Sequence, residues 1–97
     1  MPATTVLSRM KGLLGKNSLN EGEGLLIKPC KVVHTFGMKF PIDVIFLDNN
    51  NFVIAVSKEL PPNRLTPVYM RAAAVIELPA GTLEATTTAV GNQLEIA

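Results

Sequence analysis

The chain has no tryptophan, one cysteine and one histidine among its 97 residues. A single cysteine excludes a disulfide framework within the chain. One cysteine and one histidine also cannot supply the Cys/His ligands of a closed zinc site. No apolar run approaches the ~20 residues of a membrane span, and basic residues interrupt the apolar N-terminal stretch where a secretory signal would be continuous. We therefore expect a soluble, cytoplasmic protein without a membrane segment, a metal site or a cofactor.

Charge is scarce as well, since charged residues make up 18% of the chain and hydrophobic residues 47%. That composition is too apolar for a disordered protein. The net charge of +1 argues against a strongly basic nucleic-acid-binding domain. It conceals an asymmetry, because residues 1–39 sum to +4 and residues 40–97 to −3. The length predicts a single domain over residues 1–97.

The hydrophobic pattern predicts several short strands and two short helices. Apolar residues at helical spacing indicate a helix over about residues 5–14, and Thr82 can cap a second short helix. Two apolar runs flank Asn49-Asn50-Asn51 and predict a hairpin buried on both faces. The predicted strands cover residues 25–27, 30–36, 42–48, 52–58, 73–78 and 93–96.

Connections between these strands are mostly too short for parallel crossovers, which need ~10 residues or more. The predicted fold class is therefore α+β and mostly antiparallel β. We expect a small single-domain sheet or a partly closed barrel with one or two short helices, because closure removes exposed edges.

The segment from Cys30 to Asp43 contains the only cysteine and the only histidine. A Cys30–His34 nucleophile pair would need the two side chains in contact. On a strand, residues four apart share a face but lie about 13 Å apart. The β-branched residues between them favour a strand, so we do not expect this pair.

Other polar residues in and near this segment are stronger candidates for binding a ligand. His34 is the only histidine and could act as a lone binding or acid–base group. Asp43 lies within an apolar strand, where a buried carboxylate needs a partner. Arg64 follows two prolines and could either clamp an anion or anchor its own loop. The candidate ligand-binding residues are His34, Thr35, Lys39, Asp43 and Arg64.

The order of motifs resembles an uncharacterised prokaryotic family, domain of unknown function 192. The longest matching block is C30-K-V-V-H-T-F-G-M-K-F-P-I-D-V-I-F-L-D48, followed by L60-P-P-N-R64 and V75-I-E-L-P-A-G81. This resemblance implies a small, mostly β domain and no particular reaction. The chain departs from the family pattern at two positions. Asn63 stands where relatives often have a tryptophan, and Asn92 stands where they often have an aspartate. The polar residues within the matching motifs are His34, Thr35, Lys39, Asp43, Asp48, Arg64 and Glu77.

Three functions remain open from the sequence. The leading hypothesis is a noncatalytic domain that binds a small anionic ligand or a protein segment around His34 and Asp43. The alternative is an enzyme in which His34 is a general base oriented by Asp43. The second alternative is weak nucleic-acid contact through the basic N-terminal part, although the chain lacks the stacking aromatics of single-strand binders.

Overall fold

The computed structural model describes residues 4–5 and 24–94. These contain five strands and one short helix. The elements are β1 (Thr4–Thr5), β2 (Leu25–Lys28), β3 (Ile42–Leu47), β4 (Val53–Leu60), β5 (Ala74–Pro79) and α1 (Thr82–Ala85).

All strand pairs are antiparallel, and the strand order is β1-β2-β5-β3-β4. The predicted antiparallel, mostly β fold is therefore confirmed. The described sheet is open, with β1 and β4 at its edges, so closure into a barrel is not found. The outer edge of β4 instead pairs at its beginning with the C-terminal segment: the Val53 N–H donates to Asn92 O (2.8 Å), and the Gly91 N–H donates to Val53 O (2.9 Å).

The central strand β3 is buried at all six positions. Alternate side chains of a strand point to opposite faces, so β3 contributes to two cores. Val44 and Phe46 pack with Val33 and Met38 from the loops that cover one face. On the opposite face, Ile45 and Leu47 pack with Leu83 of α1 and with other residues of the second cluster. The prediction that β3 is buried on both faces is thus correct, whereas β4 is mostly half-buried.

The turn between β3 and β4 is closed by Asp48. Its Oδ1 accepts the N–H groups of Asn50 (2.9 Å) and Phe52 (3.0 Å). Asn51 adopts a positive φ of 66°, a conformation that asparagine tolerates better than most residues. The hairpin predicted around the three asparagines is confirmed.

Residues 30–36, predicted as a strand, form a loop with one isolated bridge between His34 and Leu65. The Thr35 N–H donates to Arg64 O and the Thr66 N–H to Val33 O, each at 2.9 Å. The pairing does not extend into a ladder, because the Val33 and Arg64 N–H groups donate to the hydroxyls of Thr66 (3.0 Å) and Thr35 (2.9 Å) instead of to backbone carbonyls.

The predicted terminal elements have different outcomes. Thr4–Thr5, expected at the beginning of a helix, pair with Lys28 and Ile27 as β1. The remainder of that helix, residues 6–14, lies outside the described residues. In the predicted strand 93–96, Gln93 forms only a bridge with Phe52, and residues 95–97 also lie outside. The second predicted helix is confirmed as α1, but its N-cap residue is Gly81 rather than Thr82.

Candidate functional site

Two loops, residues 31–40 and 61–72, lie together over one face of the sheet. We call them the loop layer. Their buried side chains join the cluster around β3, where Tyr69 lies against Phe46 with ring centroids 4.5 Å apart. Lys31 links the two loops, because its Nζ donates to Met70 O (2.7 Å) and Ala72 O (2.8 Å). The layer is thus held to the sheet by apolar packing and internally by hydrogen bonds.

Thr35 is the centre of this network and is completely buried. Its hydroxyl donates to Pro61 O (2.7 Å) and accepts the Arg64 N–H (2.9 Å). Its carbonyl accepts the N–H groups of Met38 (3.1 Å) and Asn63 (3.0 Å). Thr35 therefore holds the loops in position, and its side chain is not on the surface to contact a ligand.

His34 is exposed on the outer side of the layer. Its Nδ1 accepts the Phe36 N–H at 3.3 Å, and its ring stacks on the Phe36 ring with centroids 5.1 Å apart. This bond leaves Nε2 as the ring nitrogen available to a partner. The Cys30 thiol donates to Val32 O at 3.1 Å rather than to His34.

Lys39 and Arg64 are also exposed in the layer. The Arg64 Nη1 lies 3.4 Å from the carbonyl oxygens of Pro62 and Asn63. These are long contacts to its own loop, so the guanidinium keeps most of its donors for another group. The structure thus places His34, Thr35, Lys39 and Arg64 in one layer.

Asp43 is separate from this group and faces the other side of the sheet. It is 1% exposed; its Oδ1 accepts the Glu59 N–H and its Oδ2 the Leu83 N–H, both at 2.8 Å. Strand alternation explains the separation, since Val44 faces the loop layer and Asp43 therefore faces α1. The carboxylate fixes the beginning of α1 and the end of β4. Among the described residues it has no hydrogen bond with His34, so the predicted His34–Asp43 arrangement is not formed.

Glu77 is a second buried carboxyl group, and it faces the loop layer. It lies on β5 between Leu25 and Val44 and is 6% exposed. Burial raises the pKa of Glu77 from its ordinary 4.5 to about 7. Burial also raises the pKa of Cys30, an effect that the Val32 hydrogen bond opposes and the charge of Glu77 adds to. Sequence reasoning included Glu77 only among the motif residues.

Sequence reasoning also missed the exposed apolar side chains of the loop layer. Phe36 is 52% exposed and Leu65 65%, and both lie beside His34 in the bridged segment. The full set of large apolar side chains exposed in the layer is Val32, Phe36, Leu65, Val68 and Met70. The available signal was the alternation of residues 32–36, in which Val33 and Thr35 point inward.

The loop layer is basic. Residues 31–40 and 61–72 contain four lysine or arginine residues and no aspartate or glutamate. Within the part of the chain that the structure describes, no group of three or more metal-ligating side chains comes together. No helix found there has the length and apolar character needed to cross a bilayer. The layer therefore offers cationic and apolar contacts to a partner.

Comparison with known proteins identifies the family. The model of the DUF192 family, described as "Uncharacterized ACR", matches residues 2–96. The chain therefore belongs to this family, as its motifs predicted. Comparison with curated proteins finds no match.

Two solved structures have the same fold. One is a protein of unknown function from Novosphingobium aromaticivorans DSM 12444, with a TM-score of 0.77 and 19% identity over 98% of this chain and 84% of that chain. The other is a putative transcription regulator from Sinorhizobium meliloti 1021, with a TM-score of 0.75 and 20% identity over 90% of this chain and 72% of that chain. At these identities the likeness shows the fold alone.

Proposed function

We propose that this member of the family is a noncatalytic binding domain whose loop layer binds an acidic, partly apolar segment of another protein. The observation that carries the proposal is the composition of that surface. It exposes five large apolar side chains, and its two loops contain four basic residues and no acidic one. Charge complementarity then favours a segment in which carboxylates alternate with apolar side chains.

The loop layer is also preorganised for binding. The buried Thr35 and the double hydrogen bond of Lys31 fix both loops before a partner arrives. A fixed surface loses less conformational entropy on association than a mobile one. The exposed Phe36, supported by the stacked His34 ring, is suited to enter the partner's surface as an anchor.

A protein segment fits this surface better than a nucleic acid does. Protein–protein interfaces are enriched in aromatic residues, methionine and arginine. Protein–DNA interfaces are more polar and much more positively charged. The basic residues that suggested nucleic-acid contact include Arg9, Lys11 and Lys16, which lie outside the described residues.

The enzyme alternative has less support from the geometry. His34 accepts a backbone hydrogen bond on Nδ1, and Asp43 uses both oxygens on backbone N–H groups on the other side of the sheet. The carboxylate that would orient His34 as a general base is therefore engaged elsewhere. A stacked histidine with one free ring nitrogen is well suited to bind a carboxylate.

The proposal is tested with a short fluorescent peptide that alternates glutamate with leucine and phenylalanine, measured by anisotropy and by amide chemical shifts. We expect saturable binding, with shifts concentrated in residues 31–40 and 61–72. The double variant Phe36→Ala/Leu65→Ala should weaken binding at least tenfold, roughly the effect of losing two buried apolar side chains. The matched variant Val90→Ala, which truncates an apolar side chain exposed outside the layer, should bind as the wild type does.

Three results would overturn the proposal. One is equal binding of a peptide in which lysine replaces glutamate. Another is tighter binding of a DNA duplex than of the acidic peptide at the same salt concentration. The third is an equal loss of affinity in Val90→Ala and in the double variant.

A further inference from the structure

A cleft of about 680 Å³ lies at one end of the sheet. It is bounded by the end of β2, the turn between β3 and β4, and the segment that leads into β5. Three basic side chains line it, from Lys28, Lys31 and Arg71, together with Asp48 and the following asparagines. Lys28 and Lys31 are three residues apart, whereas Arg71 comes from a distant segment, so the fold brings Arg71 to the two lysines.

The one carboxylate in the cleft lining is already engaged. Asp48 Oδ1 accepts two backbone N–H groups of its turn and holds that wall of the cleft in shape. Lys31 is fixed as well, since its Nζ donates to two backbone carbonyls; its remaining N–H is available to a ligand. Lys28 and Arg71 have no hydrogen-bond acceptor among the described residues. The lining thus sums to a formal charge of +2, with several donors that no acceptor in the described part of the chain engages.

We infer that this cleft is a binding site for a small oxyanion, a phosphate or a carboxylate group. The Arg71 guanidinium can donate two parallel hydrogen bonds to such a group, and the lysines supply further charge. The amide side chains of Asn49 and Asn50 are exposed beside the cleft and add neutral donors. The inference does not rest on the proposed function, although the cleft and the loop layer share Lys31, Met70, Arg71 and Ala72.

The test is a titration of the isotope-labelled protein with inorganic phosphate, and separately with citrate, at constant ionic strength. We expect saturable amide shifts confined to residues 28–31, 48–51 and 70–74. Arg71→Gln and Lys28→Gln should each weaken binding about tenfold or more, as expected for a lost charge-assisted hydrogen bond. The matched variant Lys58→Gln removes the same charge from an exposed position on β4 outside the cleft and should leave the affinity unchanged.

The outcomes separate the possible ligands. If phosphate binds saturably and citrate does not, the cleft is assigned to phosphoryl groups. If citrate binds saturably and phosphate does not, the cleft is assigned to carboxylates. Shifts that do not saturate, shifts spread over the whole surface, or an equal loss in Lys58→Gln would show that the anion is adventitious, and the inference would be refuted.

Discussion

Glu77 makes the stability of this protein depend on pH in the opposite direction from a salt-bridged carboxylate. Its side chain lies on the covered face of the sheet with apolar Leu25 and Val44 as its cross-strand neighbours. Burial raises its pKa from 4.5 to about 7. The folded state therefore binds the proton more tightly than the unfolded state does, so the free energy of unfolding falls as pH rises from about 4.5 to about 7.

The magnitude follows from the size of the shift. A difference of about 2.5 pKa units corresponds to roughly 3 kcal/mol, at 1.36 kcal/mol per unit. Nearly all of this destabilisation is present above pH 7 and nearly none below pH 4.5. Glu77→Gln keeps the shape of the side chain and removes the titration. Between pH 5 and pH 8, the free energy of unfolding of the wild type should therefore fall by about 2–3 kcal/mol more than that of the variant.

The assay is urea unfolding of both proteins followed by circular dichroism between about pH 5 and pH 8. Glu84→Gln, which removes a carboxylate exposed on α1, serves as the matched control. A difference between wild type and Glu77→Gln that stays constant across this range would refute the reasoning. If the variant does not fold, the wild-type carboxyl carbon of Glu77 can be titrated by NMR, and a midpoint near the ordinary value would also refute it.

Two further substitutions test the hydrogen bonds that hold the site. Asp43→Asn should destabilise the protein by about 2 kcal/mol and speed amide exchange at Leu83, because both carboxylate oxygens accept backbone N–H groups. Asp48→Asn should cost much less, because one oxygen of Asp48 accepts both bonds. Equal losses of stability in urea unfolding would contradict this account. Thr35→Val should lower the free energy of unfolding by about 2 kcal/mol, because it leaves the Arg64 N–H without its acceptor. Thr35→Ser keeps the hydroxyl and should cost less. An equally large loss of stability in Thr35→Ser would show that the methyl group matters instead.

The sequence was sufficient for the elements whose signals are local. The two apolar runs and the asparagines between them predicted the β3–β4 hairpin. The β-branched segment around Val33 has the same local signal, but threonine hydroxyls accept two of the N–H groups that a ladder would use, so only an isolated bridge forms. That outcome depends on which segments meet, and β-propensity alone does not determine it.

The candidate site shows the same limit. Thr35 and Arg64 are both predicted to bind a ligand, and the structure joins them to each other through the Thr35 hydroxyl and the Arg64 backbone N–H. The sequence predicts Asp43 in the same polar site as His34, because both lie in the segment from Cys30 to Asp43. Strand alternation places the Asp43 carboxylate against α1, and its partners are backbone groups far along the chain. Residue types identify a buried carboxylate, but they do not identify backbone donors as its partners.

The outer edge of β4 affects how a partner can be recognised. Proteins often capture an extended segment by adding it as a further strand to a free sheet edge. At the beginning of β4, Val53 already uses its backbone groups on Gly91 and Asn92. Near its other end, Glu59 has a positive φ of 50°, and such a kink interrupts the straight row of donors and acceptors that strand addition requires. Both ends of this edge are therefore poorly suited to strand addition, which favours recognition through side chains.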